Sequence, residues 1–169
     1  MLLIALLVFS NLGPIPPSDG LPLVELQSMR SQLTQLINHH RSQYQLTQLG
    51  MDQLAQQAAQ ANAESMLAAD KMSHIDNAGR TPMDRYLALG GKADYYGENV
   101  GFRSPAVVDP VLLWSVLAKL DEAMMAETPP NDAHRRNILS ANYTAVGIGV
   151  AVGPNGVFID EDFVGYHPK

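Results

Sequence analysis

Apolar residues at Leu26, Met29, Leu33, Leu36 and Ile37 line one face of an amphipathic helix running from Leu23 to His40. A second helix is expected within GMDQLAQQAAQANAESMLAADK, with Asp52 as N-cap and Leu54, Ala58, Ala61, Ser65 and Ala68 on one stripe. A stripe of such small residues allows close packing. MSHIDNAGRTPMDRYLALGG reads as a loop through Asn77 to Pro82, then a short helix that Gly90 and Gly91 stop. A third long helix is expected from about Pro110 to Glu127, with Val111, Leu112, Ser115, Leu120 and Met124 toward a core and Trp114 beside them. The period then shortens to that of a strand. Val146, Ile148, Val150 and Val152 alternate, the chain turns between Gly153 and Gly156, and Val157 and Ile159 resume, which predicts a hairpin. Helices first and strands last, with no βαβ rhythm, predict an α+β domain.

The opening MLLIALLVFSNLGPIPPSDG is different in kind. Its apolar run from Leu2 to Phe9 cannot span a bilayer, which takes about 20 apolar residues. It suits the apolar part of a secretion signal, with cleavage between Ser10 and Asp19, or an apolar arm on the domain. Gly13, Pro14, Pro16 and Pro17 make a linker either way. Residues 1–20 are thus read as an N-terminal apolar segment and linker, and 23–169 as one domain. At 169 residues, 46% hydrophobic and 17% charged, the chain is long and apolar enough for a compact core. A formal charge of −6 with 11 scattered Lys and Arg argues against a nucleic-acid binder, which needs clustered cations. The absence of cysteine removes disulfides, thiolate chemistry and cysteine-based zinc sites together.

H-E-x-x-H, G-x-S-x-G and P-loop signatures are missing from the sequence. GIGVAVGPNG alternates like a strand and opens no helix, so it is no nucleotide cradle. His39 and His40 close the first helix, where a cation complements the dipole, and are read as solvent-facing or capping. Three stretches carry candidate chemistry: KMSHID around His74, YYGENV around Glu98 and NDAHRRNIL around His134. Imidazole and carboxylate make a metal site or an acid–base pair when no thiol is present. Gly97 permits close backbone approach at Glu98, and Pro129, Pro130 and Asn131 or Asp132 set up a short helix with His134 in its first turn. One turn on, Asn137 has a side chain suited to bonding nearby backbone. In the competing structural reading each histidine is a hydrogen-bonded joint between loop and core.

The order of these motifs resembles the CAP superfamily, also called the SCP domain or the cysteine-rich secretory, antigen 5 and pathogenesis-related group. LINHHRSQYQLTQL resembles its opening helix, with Asn38 and Arg41 as the Asn-x-x-Arg element, and the Ala-rich helix and a Ser-His pair follow. GRTPMDRYLALGG and GENVGF are similar to the Thr-Pro, Arg and Gly-Glu-Asn elements of bacterial members. AHRRNILSANYTAVGIGV is similar to the His-Arg-x-Asn-Ile-Leu element and the glycine-bearing strand after it. The resemblance runs from about residue 30 to 166. It implies a three-layer α-β-α sandwich with a mainly antiparallel central sheet and a cleft carrying two histidines and acidic residues. The family histidines fall on His74 and His134 and the glutamate on Glu98. For a fourth cleft carboxylate Glu127 is nearest, with Glu122 behind it. Asn99 and Asn137 would support the site.

The resemblance implies a secreted or extracytoplasmic protein, and three functions are open to it. The expected one is a non-catalytic module whose cleft, with His74, His134 and Glu98 as ligands, holds zinc or another divalent metal not required for folding. Its partner would be an extracellular ligand, apolar, lipid or cell-envelope in character. The second is a metal-assisted hydrolase with Glu98 as ligand or general base. The third is a scaffold whose cleft is a polar core network.

Overall fold

The computed structural model describes residues 23–104 and 109–167. The N-terminal apolar segment, its linker and any cleavage position lie outside the described residues. Among the described residues the helices are α1 (Leu23–Gln43), α2 (Gln53–Ala69), α3 (Pro82–Ala88), α4 (Pro110–Met125) and α5 (Ala133–Ile138). The strands are β1 (Gly50–Met51), β2 (Tyr95–Arg103), β3 (Ala145–Gly153) and β4 (Gly156–Gly165). They form one sheet in the order β1-β3-β4-β2, with β1 parallel to β3 and the other pairs antiparallel. The hairpin and the α+β class are as the sequence pattern predicts, and the sheet is mixed only through the two-residue β1.

Alternation along β3 builds the sandwich. Val146, Ile148, Val150 and Val152 face one side and join Val157, Ile159 and Phe163 of β4 with Leu26, Met29, Leu33 and Ile37 of α1 and Leu113 and Leu117 of α4. The intervening Gly147 and Gly149 face α2, so closely that an added Cβ would collide with the backbone of Gln56 and Ala59. This close approach is why α2 turns Ala55, Ala58, Ala59 and Ala63 inward.

Two helix faces differ from the sequence reading. In α2, Ala61 and Ala68 are exposed and the inward stripe carries Ala55, Ala59, Asn62 and Met66 instead. In α4, Val111 and Leu112 are 76% and 60% exposed, and the buried stripe is Leu113, Leu117, Asp121 and Met124. The polar Asn62 and Asp121 sit on the buried faces, and they break the apolar periodicity that would have revealed them.

The ends of the elements follow local chemistry. Asp52 caps α2 as expected, accepting from the Ala55 N–H at 2.9 Å. Thr81 and Asp84 form a reciprocal capping box at α3, with Pro82 as its first residue, and Gly90 beyond its end takes φ +88°. Because β1 covers only Ala145 and Val146 of β3, the rest of that edge needs another partner. Gln60 of α2 supplies it at Val150, accepting from the N–H and donating to the carbonyl, both at 3.0 Å.

Candidate functional site

β2 is the edge strand that carries the site, and successive side chains on it point to opposite faces. Glu98 turns toward α2 and α3, where it is 8% exposed. One carboxylate oxygen accepts from Arg85 Nη2 and, at 3.2 Å, from Asn62 Nδ2. The other faces His74 Nδ1 at 2.5 Å. Arg85 also donates to the carbonyls of His74 (3.0 Å) and Arg80 (3.2 Å), so one buried guanidinium ties the loop before α3 to the strand. The bond to Glu98 raises the His74 pKa above its ordinary value, against the opposing effect of burial.

Asn99 turns the other way, toward α5. Its Nδ2 donates to the His134 carbonyl at 3.3 Å and to Glu161 Oε2 at 3.1 Å, and its Oδ1 accepts from Asn137 Nδ2 at 2.9 Å. Asn137 also reaches the Glu98 carbonyl at 3.2 Å. The two asparagines therefore bind α5 to β2. Asp132, at the N-cap position of α5, makes no side-chain cap and pairs instead with Arg136 at 3.2 Å. Glu127 takes over that task, accepting from the His134 backbone N–H at 3.0 Å while its other oxygen meets His134 Nδ1 at 2.6 Å. Burial tends to raise the Glu127 carboxyl, but the bonds from His134 outweigh it and hold the pKa below the ordinary range.

The structure thus forms two histidine–carboxylate pairs, His74 with Glu98 and His134 with Glu127, linked through Asn99 and Asn137. Both imidazoles are partly open to solvent, with side chains 54% and 30% exposed. Glu122 is exposed on α4. His74, Glu98 and His134 do not by themselves close into a ligand group. Among the described residues the three whose ligand oxygens all lie within 4.8 Å of one another are Glu98, Asp160 and Asp162.

Sequence reasoning passed over that acidic run. Asp160, Glu161 and Asp162 are consecutive on β4 and fully buried, and they alternate faces with the strand. Asp160 and Asp162 join Glu98 near Arg85, whose Nη2 is 3.9 Å from Asp160. Burial, and then the neighbouring carboxylates, push both well above their ordinary pKa. Glu161 lies on the opposite face, where burial and then the Asp121 charge raise it likewise. The signal was available: three acids in a row inside a strand otherwise written in Val, Ile and Phe. His40 differs from the solvent-facing or capping role that its place at the helix end predicts: it pairs through Nε2 with the buried Asp121 at 2.8 Å.

The family model for the cysteine-rich secretory protein family, CAP, matches residues 34–166. No curated protein matches the chain. Among solved structures, an extracellular protein containing an SCP domain from Bacillus anthracis is 25% identical, with a TM-score of 0.60 over 90% of this chain and 44% of that one. The chain therefore spans less than half the length of that protein. An outer surface protein from Borrelia burgdorferi is 15% identical with a TM-score of 0.67, covering 85% of this chain and 94% of that one. NaASP2, crystallised with Zn2+, is 15% identical with a TM-score of 0.55, covering 89% and 87%. The last two likenesses speak to the fold.

Proposed function

The chain belongs to the CAP, cysteine-rich secretory protein family, and on that premise we propose that it is an extracytoplasmic binding module rather than a hydrolase. The engagement of Glu98 carries this reading. Its carboxylate already accepts from Arg85, Asn62 and His74. A general base must present a free lone pair to a water or substrate proton, and the one acceptor site these partners leave open belongs to a side chain only 2% exposed. Two of its similar structures are of an extracellular and an outer surface protein, which supports the location. The negative charge leaves nucleic acid out.

The two histidines suit a divalent metal such as zinc. A ligating imidazole characteristically hands its second nitrogen to a carboxylate, which fixes the ring and raises its basicity. His74 and His134 are both held this way at Nδ1, leaving each Nε2 to act as the ligand atom, with Glu98 and Glu127 orienting the rings. A bound metal would add a Lewis-acidic contact for an oxygen-bearing group of an envelope or apolar ligand. Zn2+ accompanies NaASP2, a protein of the same fold.

Calorimetric titration of metal-stripped, untagged protein with Zn2+ tests the reading. Binding should weaken roughly tenfold or more in both His74→Ala and His134→Ala, with the fold kept. Zinc binding untouched by either substitution would leave the polar network as scaffold, and zinc-dependent turnover of ester or peptide substrates would move the assignment to a hydrolase.

A further inference from the structure

A second concave region lies on the other side of α2, away from the histidines. It is a groove of about 400 Å³ between α1, β1 and α2, lined by Gln27, Arg30, Met51, Gln53, Gln56 and Gln57. A volume of this order suits a small ligand or one residue of a polymer. Four of the six lining groups are glutamine amides, each offering two donors and an acceptor.

Arg30 is the unusual member. It is 5% exposed, yet among the described residues it has no carboxylate within ion-pair distance. Its guanidinium makes one hydrogen bond, from Nη2 to the neutral Gln60 Oε1 at 2.6 Å, and its buried Nε has no partner. Gln60 is committed elsewhere, to Val150 and, at 2.8 Å, to Glu64. The acid at the start of α2, Asp52, is occupied by the Ala55 N–H and by the hydroxyls of Tyr86 and Tyr166 at 3.2 and 3.3 Å. A guanidinium has five donors, and burying its charge without a direct counter-ion is unfavourable. Burial lowers the Arg30 pKa, with Glu64 opposing at a distance.

We propose that this groove is a second binding site, taking a carboxylate on Arg30 while the surrounding glutamine amides read hydroxyl or amide groups next to that carboxylate. One planar cation matches one carboxylate, whereas a doubly charged phosphate would call for a cluster. The shared chemistry occurs in an acidic sugar and in an acylated amino acid, and the two have separate arms in the test.

Nitrogen-15 NMR of the full chain, titrated with glucuronate and N-acetylalanine, and in parallel with glucose and N-acetylalanine amide, reads the groove directly. At least one anion should shift the Arg30 side-chain resonance and the Gln53, Gln56 and Gln57 amides, and bind roughly tenfold tighter than its neutral counterpart. Whichever anion does so identifies the source. Arg30→Gln should remove the preference. Gln57→Glu, which adds a like charge at the groove and leaves the Arg30–Gln60 contact in place, should weaken the anion roughly tenfold as well. Equal binding of anion and neutral counterpart, anion binding unchanged in Gln57→Glu, or no shift with any probe at about 10 mM would each overturn the proposal. So would anion binding seen only in Asp19→Asn, which would assign Arg30 to the chain's own carboxylate.

Discussion

Glu127 holds His134 at two points, one oxygen on the backbone N–H at 3.0 Å and the other on Nδ1 at 2.6 Å. A single carboxylate thereby starts α5 and sets the ring. Glu127→Gln can keep the backbone contact but weakens the grip on the ring. Zinc affinity is expected to fall roughly tenfold, with only a small drop in melting temperature, measured by calorimetry on the same preparation. A large loss of stability with unchanged zinc affinity would make the pair structural.

Asn137 separates scaffold from site. Its amide reaches the Glu98 carbonyl and Asn99 Oδ1, so Asn137→Ala leaves both acceptors short of a donor. Urea unfolding should show a loss on the order of 1–3 kcal/mol. His134→Ala should cost less stability and more zinc affinity, and equal effects of the two variants on both quantities would contradict this division.

Gly147 is fixed by its distance from α2. A methyl group there would enter the backbone at Gln56, and neither element can retreat without opening the core. Gly147→Ala should destabilise by about 3 kcal/mol or more, while the same change at Gly50, whose added Cβ would sit 3.8 Å from the Thr144 carbonyl, should be far milder. Comparable unfolding midpoints for the two would refute the packing argument.

Stability should rise on mild acidification. Glu161 has its pKa raised by burial and then by the Asp121 charge, so the folded chain keeps a proton that the unfolded chain has lost. Its contribution is fully present below the unfolded value of about 4.3 and disappears as pH rises through the folded value. Asp160 and Asp162 act in the same sense. His74, raised by Glu98, adds to the trend above its ordinary value of about 6.5. Urea midpoints should therefore increase from about pH 8 to about pH 5. Glu161→Gln keeps an acceptor for Asn99, so it should be more stable than wild type at the alkaline end and show a flatter profile. A profile unaffected by the substitution would place the ionisation elsewhere.

The sequence by itself determined the elements whose signals are local: α1 and α2, the capped α3, α4, and the β3–β4 hairpin. Their periods and caps lie within one or two turns of chain, and helical or alternating geometry turns such spacing directly into a face. It also marked His74, Glu98 and His134, through short motifs in a recognisable order. β2 stayed unread because Glu98 and Asn99 interrupt its apolar alternation, and β1 is too short to carry any. Only the tertiary structure decided which carboxylate meets which imidazole, that His40 pairs with Asp121 across 81 positions, and that three consecutive acids lie buried in β4. Glu127 and His134 are only seven positions apart, but the other pairings join residues 24 and 81 positions apart, and a polar side chain turned inward looks the same in sequence as one turned to water. Its burial is tolerated only because packing brings Arg85, Asn62 and Asn99 to it, and no local pattern records that.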